Sequence, residues 1–334
     1  MKKIIRKTIT FLPSPVLFFL EWVIKKQNIR EYICSIRLKK FYRKTNFSKI
    51  NIQNYKLCII NQGTWDYPLF QVCFIRNMLQ NITYCLANGY RPIIEVYNSE
   101  KINLWTQFLK QPYEGCKEIK NEEIKKASIC NVKEAPFYFP IFPTKKDIAY
   151  FNKLIKTFIV LNEETKNYFF QEEKEILGKN KRIVGVLCRG TDYTDNQPQG
   201  HPIQPEVTEV VAMVKEKMDE YNCSYVYLAT DEEKIKSIFE KEFPGIVLTN
   251  KRKYYDEFYN IKSKTGGDAT RISWIHFNRE NDSYYKSLEY ISSINLLSKC
   301  NLLIAGNCGG SRAALYLNNN KYEFFHLFNK GLYE

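Results

Sequence analysis

Apolar positions along residues 51–334 alternate between short continuous runs and helically spaced stretches. Lys56-Leu-Cys-Ile-Ile60 has strand character, and Asn61-Gln-Gly-Thr-Trp65 reads as the turn after it. Leu69, Val72, Cys73, Met78, Leu79, Ile82, Cys85 and Leu86 follow helical spacing, with Asn88-Gly89 as a C-cap. Arg91-Pro-Ile-Ile-Glu-Val96 is the next strand, which completes a β-α-β unit. Residues 101–145 are less regular, broken by Pro112, Pro136, Pro140 and Pro143, and read as excursions around this first lobe. Thr144 to Leu177 is helical, with a break near Asn162.

Beyond that point the alternation is clear. Arg182-Ile-Val-Gly-Val-Leu-Cys188 is nearly continuous apolar sequence, as in a strand buried on both faces of a parallel sheet. A helix over Pro205–Tyr221 and a strand over Ser224–Ala229 follow, then a helix over Glu232–Phe243 and a strand over Gly245–Thr249. A helix over Tyr284–Ser298, a strand over Asn301–Ala305 and a short helix over Ser311–Leu317 complete the series. This order predicts a doubly wound parallel α/β sheet.

Composition narrows the class. With 44% hydrophobic and 15% aromatic residues, the chain is too apolar for a disordered protein. The 14 glycines and 12 prolines are too few for a collagen-like or low-complexity chain. The net charge of +14 is concentrated: residues 1–50 hold 13 Lys/Arg against Glu21 and Glu31, which is +11. Between the basic blocks lies Phe11-Leu-Pro-Ser-Pro-Val-Leu-Phe-Phe-Leu-Glu-Trp-Val-Ile24. It falls short of the roughly 20 uninterrupted apolar residues of a spanning helix. It reads as an amphipathic arm lying on an anionic membrane surface; a helix packed on the protein's own body is the alternative. A basic arm can also bind nucleic acid, but the apolar insert, the near-neutral body and the lack of a recognition motif argue against it. Ten cysteines include no C-x-x-C pair, and most sit in apolar runs, as buried thiols do in a reducing cytosol. Neither zinc-ligand spacing nor an Asp-x-Asp pair is present, so no metal and no cofactor are expected.

Ligands of such sheets bind beyond the carboxyl ends of strands. Arg189-Gly-Thr-Asp-Tyr193 follows one strand: Arg189 offers a fork of donors for phosphate, Gly190 lets backbone approach, and Asp192 can hold Arg189 or cap the loop. A surface turn with an Arg–Asp ion pair is the alternative. Gly306-Asn307-Cys308-Gly309-Gly310-Ser311-Arg312 follows another strand and leads into a helix, an anion-binding arrangement. Together they point to a diphosphate, as in a nucleotide sugar.

These motifs, with His201-Pro202, Tyr227-Leu-Ala-Thr-Asp231 and Leu297-Ser-Lys-Cys-Asn-Leu-Leu-Ile304, make the chain similar to the fucosyltransferase superfamily of GT-B fold. It resembles the α-1,6-fucosyltransferases, nodulation enzymes among them, and more distantly the protein O-fucosyltransferases. The resemblance is clearest over residues 180–318, weaker over 61–105, and does not cover 1–50. It implies two Rossmann-like lobes with parallel sheets: residues 51–165 on the acceptor side, 166–334 on the donor side, and 1–50 as the membrane-proximal arm. It implies inverting, metal-independent transfer of fucose from GDP-fucose to a hydroxyl of a cell-surface or lipid-linked glycan. Arg189 matches the arginine on the donor β-phosphate, Cys308 and Gly309 match the turn that holds the diphosphate, and Asp231 stands where the family has an acidic pair.

The chain departs from that pattern at Leu187 and Ser293, where the family has guanine-binding His and Asp. Gly190 replaces a second Arg, and Gln197 replaces a Glu proposed as base. Asp195 is the nearest carboxylate and the candidate base, with His201 as the alternative. Gly63 and Trp65 face the cleft from the first lobe in this reading, Trp65 stacking on a sugar or simply packing. Lys251-Arg-Lys253 is a basic run at a strand end, either solvated or reaching the nucleotide. The expected setting is the cytoplasmic face of a cell membrane. Transfer from another nucleotide sugar, or a non-catalytic membrane-docked binding protein, are the alternatives.

Overall fold

The computed structural model describes residues 12–24, 29, 33, 36, 37, 40, 55–64, 72–112, 128–130, 140–178, 181–257, 272 and 275–334. They form two compact units. The first is Met1–Trp65, Phe74–Pro140 and Lys153–Asn162; the second is Asp66–Cys73, Ile141–Asn152 and Glu163–Glu334. Residues 141–152, expected in the first lobe, therefore pack with the second.

In the first unit a helix, α1 (Ser14–Val23), precedes β1 (Lys56–Thr64), α2 (Val72–Ala87), β2 (Tyr90–Tyr97) and β3 (Ser128–Cys130). The strand order is β2-β1-β3, with β1 parallel to both neighbours, so the predicted β-α-β unit is present. Gly89, at φ +74°, takes the left-handed position after α2. Asn61 to Thr64 are strand and not the expected turn: pairing with β2 continues past Ile60, with a register shift between Asn61 and Thr64. The described residues of the arm form a small apolar cluster of their own. Leu17 is buried with Ile33 and Ile36, and Leu12, Leu20 and Ile24 pack against them. Val16, Phe19 and Val23, on the neighbouring face of α1, are exposed. Among the described residues no helix is long and apolar enough to cross a membrane.

The second unit contains α3 (Lys145–Phe158), whose last turns belong to the first unit, and α4 (Glu163–Glu172), which continues as a π-turn over Glu173–Leu177. Then come β4 (Ile183–Cys188), α5 (Thr191–Asp195), α6 (Val207–Glu220), β5 (Tyr225–Thr230), α7 (Glu233–Glu242) and β6 (Val247–Leu248). The series ends with α8 (Asp282–Lys299), β7 (Leu302–Gly306), α9 (Gly309–Asn318) and β8 (Phe324–Phe328). The five strands are parallel in the order β6-β5-β4-β7-β8. β4 is buried along its whole length, as its unbroken apolar run requires between two strands and two helical layers. Val184 and Val186 pack with Val210, Val214, Val226, Leu228, Phe239, Leu302 and Ile304. The chain winds from β4 toward β6, then crosses to β7. The switch point therefore lies between the carboxyl ends of β4 and β7, where open α/β sheets bind ligands.

Phe239 is fully buried in that core. Phe239→Ala is expected to cost about 3–5 kcal/mol, read from urea unfolding; a loss below about 1 kcal/mol would show that the core does not depend on it.

Candidate functional site

Leu187 of β4 pairs with Ala305 of β7. Arg189 and Asn307, each two residues further on, thus leave the sheet side by side. The Arg189 loop is shaped by two buried carboxylates from the end of β5. Asp231 accepts the Gly190 N–H at 2.9 Å and the Thr191 hydroxyl at 3.0 Å. Its Oδ2 lies 2.8 Å from Arg189 Nε, in an ion pair and not an aligned hydrogen bond. Glu232 accepts the Thr191 N–H. Thr191 sits at φ +50°, a strained setting for a β-branched residue that these two acceptors hold in place. A Cβ on Gly190 would come within 2.2 Å of Glu232 Oε1. Gly190 is glycine because the carboxylate fills the space of a side chain. The Asp231 carbonyl also accepts the Tyr255 N–H at 2.8 Å, so this residue holds the loop after β6 as well.

The Arg189 guanidinium lies 5.2 Å from the Tyr193 ring centre, and His201 meets that ring edge-on at 5.5 Å. Burial pushes the Tyr193 phenol up and Cys308 adds to the rise, while Arg189 and Arg312 oppose it. These four side chains therefore share one neighbourhood. Burial, aided by Asp231 and Glu232, pushes the Cys188 thiol up to about 12, so it is no nucleophile at neutral pH.

The turn after β7 is built by its own side chains. The Cys308 N–H donates to Ser311 Oγ at 2.9 Å, and the Ser311 hydroxyl donates to the Cys308 carbonyl at 3.0 Å, closing a capping box on α9. Asn307 is fully buried and donates to the Ile141 carbonyl at 3.0 Å. Gln204 donates to the carbonyls of Asn307 (3.1 Å) and Pro202 (3.0 Å). Its Oε1 lies where a side chain at Gly306 would begin. Gly309 and Gly310 open the helix, presenting backbone N–H groups and the positive end of its dipole. Arg312 stands on the first turn, in long contacts of 3.4 Å to Asn307 and 3.5 Å to the Ile141 carbonyl.

The expected residues thus divide. Arg189, His201, Gly309 and Arg312 are partly or fully accessible, as is Asp195 at the end of α5. Asp231, Asn307, Cys308 and Ser311 are buried and hold the loops in place, and Gly310 is buried at the start of α9. Asp192 lies on α5, a short helix where a loop was expected. Gly63 lies in β1 of the other unit, and Trp65 lies outside the described residues. Gln197 is exposed at φ +45°. Leu187 is buried, with Cδ1 3.1 Å from where a Gly310 Cβ would stand, and the buried Ser293 donates its hydroxyl to the Tyr290 carbonyl at 2.7 Å. Sequence reasoning missed Tyr193 and Gln204, and it missed Glu232 as a partner of the β4 loop. The Asp231-Glu232 doublet at a strand end was the available signal. Among the described residues no group of three or more His, Cys, Asp or Glu is placed to hold a metal.

No protein-family model matches the sequence, and no curated protein matches it. Among solved structures the chain is similar to NodZ α-1,6-fucosyltransferase co-crystallised with GDP, at 12% identity and TM-score 0.44 over 78% of this chain and 92% of that chain. It is similar to fucosyltransferase NodZ from Bradyrhizobium, at 12% identity and TM-score 0.42 with the same coverage. It is also similar to POFUT1 in complex with GDP, at 8% identity and TM-score 0.45 over 84% of this chain and 99% of that chain.

Asp231→Ala would strip the acceptor from Gly190 and Thr191 and remove a carboxylate paired with Arg189. The expected loss of stability is about 3–5 kcal/mol by urea unfolding. A loss under about 1 kcal/mol would show that the carboxylate does not hold the loop.

Proposed function

We propose that the chain is an inverting glycosyltransferase that moves fucose from GDP-fucose to a glycan hydroxyl. The observation that supports this reading is the convergence of Arg189 and the α9 turn at the carboxyl ends of β4 and β7. One supplies a guanidinium and the other a row of backbone N–H groups, a pairing suited to a diphosphate. GDP-fucose is the donor that the motifs from Arg189 to Ser311 imply.

In this mechanism the acceptor oxygen bonds to the anomeric carbon as the bond from that carbon to the β-phosphate oxygen breaks. Charge grows on the departing diphosphate, where Arg189 and the Gly309 and Gly310 N–H groups stabilise it most at the transition state. The acceptor proton goes to a base. His201 is the stronger choice over Asp195, because the Tyr193 ring joins it to Arg189. No metal takes part, since the cation and helix terminus meet the diphosphate charge. The second function we assign is docking: the exposed Val16-Phe19-Val23 face of α1, within a segment of charge +11, rests on anionic lipid and brings the enzyme to a lipid-linked or cell-surface glycan. The buried free thiols Cys58, Cys85, Cys188, Cys223, Cys300 and Cys308 support a reducing compartment, hence the cytoplasmic face.

Arg189→Ala is expected to lower transfer from GDP-fucose by about 100- to 1,000-fold, with the circular dichroism spectrum unchanged; full turnover in that variant overturns the assignment. His201→Ala should lower transfer by about 100-fold yet keep the thermal stabilisation given by GDP, whereas Asp195→Ala should leave turnover near wild type. Chelation with EDTA should leave the rate unchanged. The full chain should sediment with phosphatidylserine-containing vesicles and not with neutral ones, and Phe19→Ser should weaken that binding while sparing transfer to a soluble acceptor.

A further inference from the structure

We propose that Arg252 reads the base of the donor nucleotide through a paired contact with the O6 and N7 acceptors of guanine. This rests on the nucleotide-sugar reading above and adds the element that selects the nucleotide.

The placement suits the task. Arg252 lies on the loop that leaves β6, two strands from β4, a separation of about 10 Å at the usual strand spacing. A nucleoside extending from a diphosphate at β4 and β7 across the end of β5 arrives there. The loop is fixed on both sides of Arg252. Asn250 donates to the Glu289 carbonyl at 2.9 Å and accepts the Tyr227 hydroxyl at 3.4 Å. Lys253 N–H donates to Glu289 at 3.4 Å, and Tyr255 N–H to the Asp231 carbonyl at 2.8 Å.

One nitrogen of the side chain is unsatisfied. Among the described residues Arg252 pairs with no carboxylate, and its buried Nε has no acceptor. Neighbouring cations are matched: Arg279 bonds Asp282 at 2.7 Å and also Glu289, and Lys251 lies 3.4 Å from Glu175. The rings around Arg252 are no substitute for an anion. Tyr254 lies 6.0 Å away, and burial raises the phenols of Tyr227 and Tyr255, which Arg252 opposes without cancelling. A buried N–H left without an acceptor is costly, and a ligand that supplies one removes the cost.

Its chemistry selects that acceptor. A planar fork matches two acceptors in one plane, which guanine offers at O6 and N7. Adenine pairs N7 with a donor instead. The two positions where the resemblance places guanine contacts, Leu187 and Ser293, are both buried, and Ser293 already donates to Tyr290. Base selection thus falls to another element, and the end of β6 carries the unsatisfied donor.

Calorimetric titration of the full chain with GDP, 7-deaza-GDP, ADP, UDP and pyrophosphate tests this. The wild type is expected to bind GDP about tenfold or more tighter than 7-deaza-GDP and ADP. Arg252→Ala should lower GDP affinity about tenfold, bring GDP and 7-deaza-GDP level, and leave pyrophosphate binding unchanged. Arg252→Lys, which keeps the charge and loses the fork, should not restore the discrimination. Unchanged GDP affinity in Arg252→Ala, an equal loss for pyrophosphate, or full recovery with Lys each overturns the proposal while the nucleotide-sugar reading stands. A folded wild-type chain that binds none of these compounds overturns that reading too.

Discussion

The Asp231 carboxylate and carbonyl together fix the loops at the carboxyl ends of the strands in the second unit. The side chain holds Gly190, Thr191 and Arg189 at the end of β4, and the main chain holds Tyr255 beyond β6. Three consecutive strands of the sheet thereby end in one connected structure. The ion pair to Arg189 is made through Nε, on the side of the guanidinium nearest the chain. An arginine restrained there has little rotamer freedom left to lose when it meets an anion, which lowers the entropic cost of binding. Burial of the carboxylate in a low-dielectric setting is tolerable because donors surround it. The same arrangement separates scaffold from contact. Buried polar groups such as Asn307, Ser311 and Glu232 maintain loop shape, and accessible ones are left for chemistry.

Much of this fold is legible in the residues. β4, β5 and β7 are read correctly because strands buried on both faces need unbroken apolar runs, and Val184, Val226 and Leu302 each sit in such a run. β8 was not read: Phe324-Phe-His-Leu-Phe328 is an edge strand, half-exposed and interrupted by His326, with neither alternation nor continuity. β3 has three residues, too few to carry a period. Asn61 to Thr64 look like a turn by composition, yet the parallel partner β2 supplies a ladder that overrides local preference.

The site is legible only in outline. Ligands of open α/β sheets bind at strand ends, so Arg189 and the glycine-rich turn are legible in the sequence as candidates. What holds them could not. The contacts of Asp231 and Glu232 join residues about forty positions apart, and no local pattern encodes a hydrogen bond at that distance. Asp192, three residues on, is the carboxylate that local spacing offers to Arg189; the ion pair with Asp231, forty-two positions away, is one that spacing does not reveal.

The contact between Gly190 and Glu232 also sets an order in which the two positions can be altered. A side chain at position 190 would have to displace the Glu232 carboxylate, and with it the acceptor of the Thr191 N–H. The dependence runs one way: the acid can be shortened while glycine stays, but glycine cannot be replaced while the acid stays where it is. A bulky residue at 190 thus acts on the backbone of Thr191 through a side chain it does not touch in sequence.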